Sequence, residues 1–363
     1  MNIVYIADFS LPNMSAYAVH TLKMCDALSE KKNNVELLIP YREDSFTFNI
    51  IKKKFLLKKK YLIKGFFTRK KKITFLNNLI FFFEIIRNFD LKKKLLISRS
   101  LIPSIMLAFC GYKIILEMHT EPRGITKFVF LISKKLSFFK NISFIFINDQ
   151  LRKLIKIEKK NSIVLDDCAD IRDFNKKKLK KKFDCVYAGS FVEGKGINTI
   201  LKIAKKLKNK KFFLYGNLNT LRDKNILKKR KNVFFKGHIS YEKIPIILNC
   251  SKILLMPYER SIGVLIKGID VSKYISPLKL FDYLASDSII IASYKKSYSH
   301  ILKHKYNSYI VKNYDVNLWI KYINLASKKN SINQKIINNA SITAKKYTWL
   351  SRAEKIIKFS LKG

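Results

Sequence analysis

The sequence predicts an α/β protein built as two successive halves, each a parallel sheet wrapped in helices. Three observations predict it. Short apolar runs of strand length alternate with helix-spaced stretches along the whole chain. A polar break, KKKLKKK at 176–182, interrupts that alternation near mid-chain, and a fresh series begins at once. The length, 363 residues, is that of two domains at about 150 residues each.

The elements follow in order. Asn2–Ala7 reads as a buried strand, and Tyr17–Lys31 carries helical spacing at Ala18, Leu22, Cys25 and Leu28. Asn34–Pro40 is the next strand, so the chain opens strand–helix–strand, the signature of a parallel sheet. Further strands are expected at Lys94–Ser98, Lys113–Met118 and Ile142–Ile147. Beyond the break come strand Phe183–Ala188, helix Ile197–Leu207 and strands Phe212–Tyr215 and Val233–Lys236. Helix Glu242–Asn249, strand Ile253–Met256, helix Pro277–Ala285 and strand Ile289–Ala292 complete the second half, and the tail Ser341–Lys362 is again helical. No internal repeat is visible. Open parallel sheets bind ligands at the carboxyl ends of their strands, so two such halves point to a cleft between them as the site.

Composition narrows the class. With 48% hydrophobic and 13% aromatic residues the chain can fill real cores, which excludes intrinsic disorder. Its five cysteines are scattered without a CxxC pair, against both a disulfide scaffold and a zinc site, and a reducing compartment fits. Seventy-three basic against 26 acidic residues give +47, a charge that suits polyanions: nucleic acid, anionic lipid or phosphorylated substrates. Only eleven of those basic residues are Arg. Specific readers of nucleic acid favour the bidentate Arg fork, so the Lys excess points to solvated faces or lipid head groups. MNIVYIADFS lacks a basic leader region and runs straight into a strand, and no apolar run reaches the length of a spanning helix.

Four segments could carry chemistry. Tyr187-Ala-Gly-Ser-Phe-Val-Glu-Gly-Lys195-Gly follows a strand and opens a helix. Its glycines let backbone amides approach an anion, the helix end adds its dipole, and Lys195 adds a full charge. The G-x-x-x-x-G-K spacing is that of a P-loop, but Gly196 stands where Ser or Thr must hold magnesium, so a phosphate-facing turn of another kind is favoured over a P-loop or a plain tight turn. In Ser276-Pro-Leu-Lys-Leu-Phe-Asp282, Ser276 suits an N-cap and Pro277 the first helical position. The first-turn amides could hold a diphosphate, and Asp282 a pair of sugar hydroxyls; the bland alternative is a capped core helix. His119 lies just past a strand end, with Glu117 alternating before it; a structural histidine is the competing reading. His300 and His304 share a helix face if that stretch is helical, with no third ligand apparent. Last, Ile51–Phe89 interleaves Phe55, Tyr61, Phe66 and Phe67 with eleven basic residues between Lys52 and Lys72 and no acid among them. Such a stretch suits an anionic membrane surface, or equally a solvated helix pair.

Taken together and in order, these segments resemble the family 4-like glycosyltransferases of GT-B architecture, in which two Rossmann-like domains face across a cleft. The resemblance is strongest over 183–311, in YAGSFVEGKGINTILKIAKKL, FFLYG, NVFFKGHISYEKIPIILNCSKILLMPY and SPLKLFDYLASDSIIIAS, and is supported earlier by HTLKMCDAL, ILEMHTEP, FIFINDQLRKLI and VLDDCADIRDF. It implies residues 1–175 as an acceptor-binding domain onto which a helix at 345–363 packs back, and 176–344 as a nucleotide-sugar-binding domain. It implies transfer of a sugar from a nucleotide-sugar with retention, onto a glycan or lipid-linked glycan, in bacterial surface polysaccharide or lipopolysaccharide synthesis. Lys195 would bind the donor diphosphate, Asp282 the ribose and His119 the donor sugar. Ser190, Gly194, Ser276, Pro277, Leu278 and Lys279 would bind the donor, the backbone at Pro277–Lys279 capping its phosphates, and Gly237 and His238 would lie by the base. No cofactor or metal is expected, because protein cations and helix ends neutralise the leaving diphosphate. Location in the cytoplasm, with peripheral attachment to the inner membrane face, and no specific nucleic-acid partner complete the expectation.

The sequence also departs from the family pattern. Tyr274 stands at the first of its two motif acids, Asp replaces Glu at 282, Ser190 replaces an Arg, and Pro12–Ala16 replaces a glycine-rich loop. The donor is therefore not identified by the resemblance. A GT-B sugar-nucleotide epimerase, an inactive homologue or a basic nucleic-acid binder are the alternatives.

Overall fold

The computed structural model describes every residue except 71, 73, 175–178, 222, 224, 226–230, 265–267 and 362–363. Lys176–Lys178 of the lysine-rich break and Lys362 of the tail thus lie outside the described residues. The chain divides into two compact units, Met1–Asp166 with Trp349–Gly363, and Asp167–Thr348.

The first unit is built on seven parallel strands: β1 (Asn2–Ile6), β3 (Asn34–Ile39), β5 (Leu62–Gly65), β6 (Leu95–Ser98), β7 (Ile114–Met118), β8 (Ile142–Phe146) and β9 (Ser162–Val164). Their spatial order is β5-β3-β1-β6-β7-β8-β9, and the two-residue strands β2 (Ser10–Leu11) and β4 (Tyr41–Arg42) pair separately. The order runs outward from β1 in both directions, so the winding reverses between β1 and β6, where crevices open at the carboxyl ends. Helix Ala16–Glu30 is capped by the Ser15 hydroxyl, which accepts from the Ala18 amide at 3.3 Å. It is buried without a break from Ala18 to Leu28, because the sheet covers one side and helix Trp349–Ser360 packs on it as well.

The second unit repeats the plan with β10 (Phe183–Ala188), β11 (Phe212–Tyr215), β12 (Val233–Gly237), β13 (Ser251–Met256), β14 (Ile289–Ser293) and β15 (Tyr309–Val311), ordered β12-β11-β10-β13-β14-β15. Its reversal falls between β10 and β13. Helix Ile197–Lys206 drives Ile197, Ile200, Leu201 and Ile203 into a core closed by Trp319 and Ile323.

Several expectations need correction. Helix Leu278–Ala285 starts one residue later than expected, with Pro277 at the N-cap; the Ser276 hydroxyl does not cap it. His300 and His304 share no helix: a 3-10 turn ends at Tyr298, and His304 Nδ1 accepts from the Ile310 amide at 3.0 Å. The tail is two helices, Ser331–Ala344 and Trp349–Ser360, not one. The basic stretch is helix Phe48–Phe55, edge strand β5 and helix Phe75–Asn88, and Phe55, Leu57, Tyr61 and Ile63 point into the core. No disulfide joins any of the five cysteines. Among the described residues no helix is long and apolar enough to cross a membrane.

Candidate anion and sugar sites

In the second unit the chemistry gathers at the reversal point. The turn after β10 must bring backbone close to backbone, which only glycine allows: a Cβ on Gly194 would meet Ser261 O at 2.0 Å, and one on Gly196 would meet Pro257 O at 1.9 Å. Both have φ in the left-handed region. This seats Lys195 against the segment that follows β13, with its Nζ 5.1 Å from the Tyr258 ring centroid. From the start of helix Leu278–Ala285, Lys279 reaches the same place. Its Nζ sits 3.7 Å from the Tyr187 ring centroid, 5.7 Å from that of Tyr258, and 2.3 Å from where a Gly189 Cβ would be.

Two lysines thus converge on one tyrosine. Burial lowers Lys195 to about 8. Burial, then the neighbouring charge of Lys195, hold Lys279 well below the ordinary lysine range. Lys279 Nζ is shut off from solvent and has no hydrogen-bond partner among the described residues. The aromatic faces supply some cation–π attraction, which does not neutralise charge. A dehydrated cation pair of this kind is stabilised by a bound anion, and first-turn amides of a helix add to the attraction. A hollow of about 650 Å³ opens beside the same turn, but neither Lys195 nor Lys279 lines it, and its Glu193, Glu259 and Asp270 outnumber its Lys202 and Arg260.

The first unit builds a different centre around Glu117 on β7. Its Oε2 accepts from Tyr5 Oη at 2.7 Å. Its Oε1 faces His20 Nε2 at 2.7 Å, His119 Nε2 at 2.8 Å and the Arg352 guanidinium. Burial opposes the charge on Glu117, but His20, Arg352 and the histidine hydrogen bonds outweigh it and hold the carboxyl well below its usual range. An ionised carboxylate only accepts, so His119 Nε2 carries the proton and Nδ1 keeps its lone pair. Burial and Arg99 push His119 down to about 3, so the ring is neutral at any working pH. His20, Glu117 and His119 place one ligand atom each within 4.8 Å of one another. That donor set suits a metal ion poorly, because the Arg352 cation already occupies the oxygen both histidines face. Beyond β1 and β6, the Tyr17 hydroxyl donates to half-buried Asp8, and Arg99 stacks 4.0 Å over the Tyr17 ring.

The sequence-selected residues distribute as follows. Lys195, Gly194, Pro277, Leu278 and Lys279 fall on the two segments that meet at Tyr258. Ser190 is exposed, and its carbonyl accepts from Tyr187 Oη at 2.7 Å. Gly237 ends β12 with φ +70°, and His238 after it is exposed. Asp282 is buried and takes a long hydrogen bond of 3.4 Å from Tyr241 Oη. His119 belongs to the Glu117 centre, whose other members sequence reading missed. Alternation of Glu117 with His119 was the only signal; nothing local marks His20 or Arg352.

The family model described as glycosyl transferases group 1 matches residues 170–343. No curated protein matches the chain. Sucrose-phosphate synthase from Thermosynechococcus elongatus superposes with a TM-score of 0.75 at 12% identity, over 99% of this chain and 98% of that one. Anabaena HepE in complex with UDP and glucose gives 0.71 at 10% identity, over 99% of both chains. WaaG, a glycosyltransferase involved in lipopolysaccharide biosynthesis, gives 0.68 at 10% identity, over 98% of both. At such identities the likeness is one of fold, the GT-B fold of two Rossmann-like domains.

Proposed function

We propose that this chain, whose residues 170–343 match the family model for glycosyl transferases group 1, moves a sugar from a nucleotide-sugar to a glycan or lipid-linked glycan, with retention, in bacterial surface polysaccharide or lipopolysaccharide synthesis. The protein works in the cytoplasm. The observation that carries this reading is the Lys195–Lys279 pair, dehydrated around Tyr258 at the reversal point of the second sheet. A nucleoside diphosphate supplies the negative charge that pair lacks. As the bond from the anomeric carbon to the β-phosphate oxygen breaks, charge grows on that oxygen, and two lysines with the helix start at Pro277 stabilise it. That is the work a divalent metal does in other sites, so transfer proceeds without one. The acceptor oxygen bonds to the anomeric carbon, and its proton leaves with the diphosphate. Asp282, buried on the same helix as Lys279, holds the ribose. HepE, of the same fold, binds UDP and glucose.

Thermal-shift titration against UDP-, GDP-, ADP- and CMP-sugars with EDTA present tests this. One of them at about 100 times its Kd stabilises the fold by about 2.7 kcal/mol. Lys195→Ala or Lys279→Met weakens that ligand by about 10–100-fold, the loss of one charged hydrogen bond. Lys279→Met also raises the ligand-free Tm, by removing a buried amine that has no hydrogen-bond partner among the described residues. Unchanged affinity in both variants, with nucleic-acid binding as the sole activity, overturns the reading.

A further inference from the structure

The first unit carries an apolar surface that its core does not use. Helix Gly124–Ser133, GITKFVFLIS, is apolar on nearly every side. Phe130 and Ser133 face inward, with Phe130 packed edge-on to Phe139 at 5.7 Å. On the opposite face Ile125, Phe128, Leu131 and Ile132 recur at helical spacing and are 45–65% exposed. Leu136 follows just past the helix end, 47% exposed, and Phe109 closes the neighbouring helix Leu101–Phe109 at 66%, that helix packing against this one. Scattered exposed leucines are ordinary, but a continuous outward stripe on one helix is not.

Charge selects what covers the stripe. Residues 122–148 hold Arg123, Lys127, Lys134, Lys135 and Lys140 and no acid; Glu121 just before them pairs with Arg123 at 2.8 Å, which leaves the four lysines as the net charge. On the helix wheel Lys127 and Lys134 lie together along one edge of the apolar face, beside Leu131, and Lys135 follows just past the helix end. An apolar stripe with exposed lysines along one edge and past its end matches the boundary of an anionic bilayer, with acyl chains against the stripe and phosphates against the lysines. A protein partner would need an acidic ring around an apolar knob, and a second copy would bring lysines against lysines. The basic stretch after Ile51 fits lipid less well, since its Phe55, Leu57, Tyr61 and Ile63 are core residues. We propose that the Gly124–Ser133 helix lies in the plane of an anionic membrane and inserts Ile125, Phe128, Leu131 and Ile132. This rests on the surface alone and holds whatever the catalytic reading proves to be.

Flotation with vesicles tests it, using phosphatidylcholine alone and phosphatidylcholine with phosphatidylglycerol. A chain of +47 adheres to anionic vesicles at low salt in any case, so the decisive lane is about 0.5 M salt, where screening acts within a few ångströms. There the wild type still floats with phosphatidylglycerol vesicles and at most weakly with neutral ones. Phe128→Ser with Leu131→Gln lowers high-salt partitioning by about tenfold or more. Leu76→Gln with Phe83→Gln, an equal loss of exposed apolar surface on helix Phe75–Asn88, leaves it unchanged. All these positions are exposed, so melting curves of both variants should overlay the wild type. Equal flotation of the two variants, loss of all wild-type flotation at high salt, or a wild-type dimer that only Phe128→Ser with Leu131→Gln dissociates while flotation persists would each overturn the proposal.

Discussion

A lysine whose ammonium is partly stripped of water is a poor cation until an anion arrives, and Lys195 makes that measurable. Its ligand-free value of about 8 lies below the ordinary lysine range, because burial penalises the charged form. The anion binds the protonated form, and the bound diphosphate raises the lysine again. Below about pH 8 Lys195 already holds its proton and adds no slope to the affinity. Above it each pH unit costs up to about tenfold in affinity, until the bound-state value is reached. Binding near pH 8.5 therefore takes up protons. Calorimetry in two buffers of different ionisation enthalpy should show this, and Lys195→Ala should diminish it. His119 contributes no inflection to the same profile between pH 5 and 8, since at about 3 it has long been neutral.

At the scale of elements, the turn from Gly189 to Gly196 decides where that lysine sits. Substituting Gly196 by Ala puts a Cβ 1.9 Å from Pro257 O at a φ of +87°, so the turn has to lift away from the segment carrying Tyr258. Gly196→Ala should cost about 1–3 kcal/mol in urea unfolding. It should also abolish nucleotide-sugar binding although no ligand-facing side chain changes; a variant that unfolds more easily but binds normally would separate the turn from the site. What was legible in the sequence follows the same local logic. β10 and β11 are legible to the residue, because strands inside a parallel sheet are near-continuous apolar runs bounded by polar ones, interrupted in β10 only by Asp184. Edge strands β5, β9 and β15 escaped, being three or four residues long, and β5 sits inside a lysine-rich stretch. Glycine and lysine positions at the β10 turn were readable because the chemistry lies within one segment. Tyr258 was missed because it joins Lys195 and Lys279 only through the crossover order of the sheet.

At the scale of the whole molecule, the first unit is closed by its last residues. Tyr5 from β1, His20 from the first helix, Glu117 from β7 and Arg352 from the final helix meet at one carboxylate. Both Arg352 and Glu117 side chains are essentially buried, so removing one partner leaves an uncompensated charge where water cannot reach. Arg352→Leu should destabilise the first unit by about 3–5 kcal/mol, while Glu117→Gln with Arg352→Leu should recover part of that loss, because neither charge is then left alone. The chain supplies its own reporters. Its two tryptophans divide between the units, Trp349 against His20 in the first at a centroid distance of 4.9 Å, and Trp319 in the core of the second. In a Trp319→Phe background, fluorescence follows the first unit alone, and in Trp349→Phe the second. Arg352→Leu should move the Trp349 transition and leave the Trp319 transition in place. Acid should act on the first unit in the same sense. Between about 3 and 6.5 the unfolded His119 takes up a proton that the folded ring refuses. Glu117, held low when folded, is likewise protonated more readily once unfolded. The Trp349 transition should therefore weaken as pH falls below about 6.5, and if it strengthened instead, the charge assignment at Glu117 would be wrong.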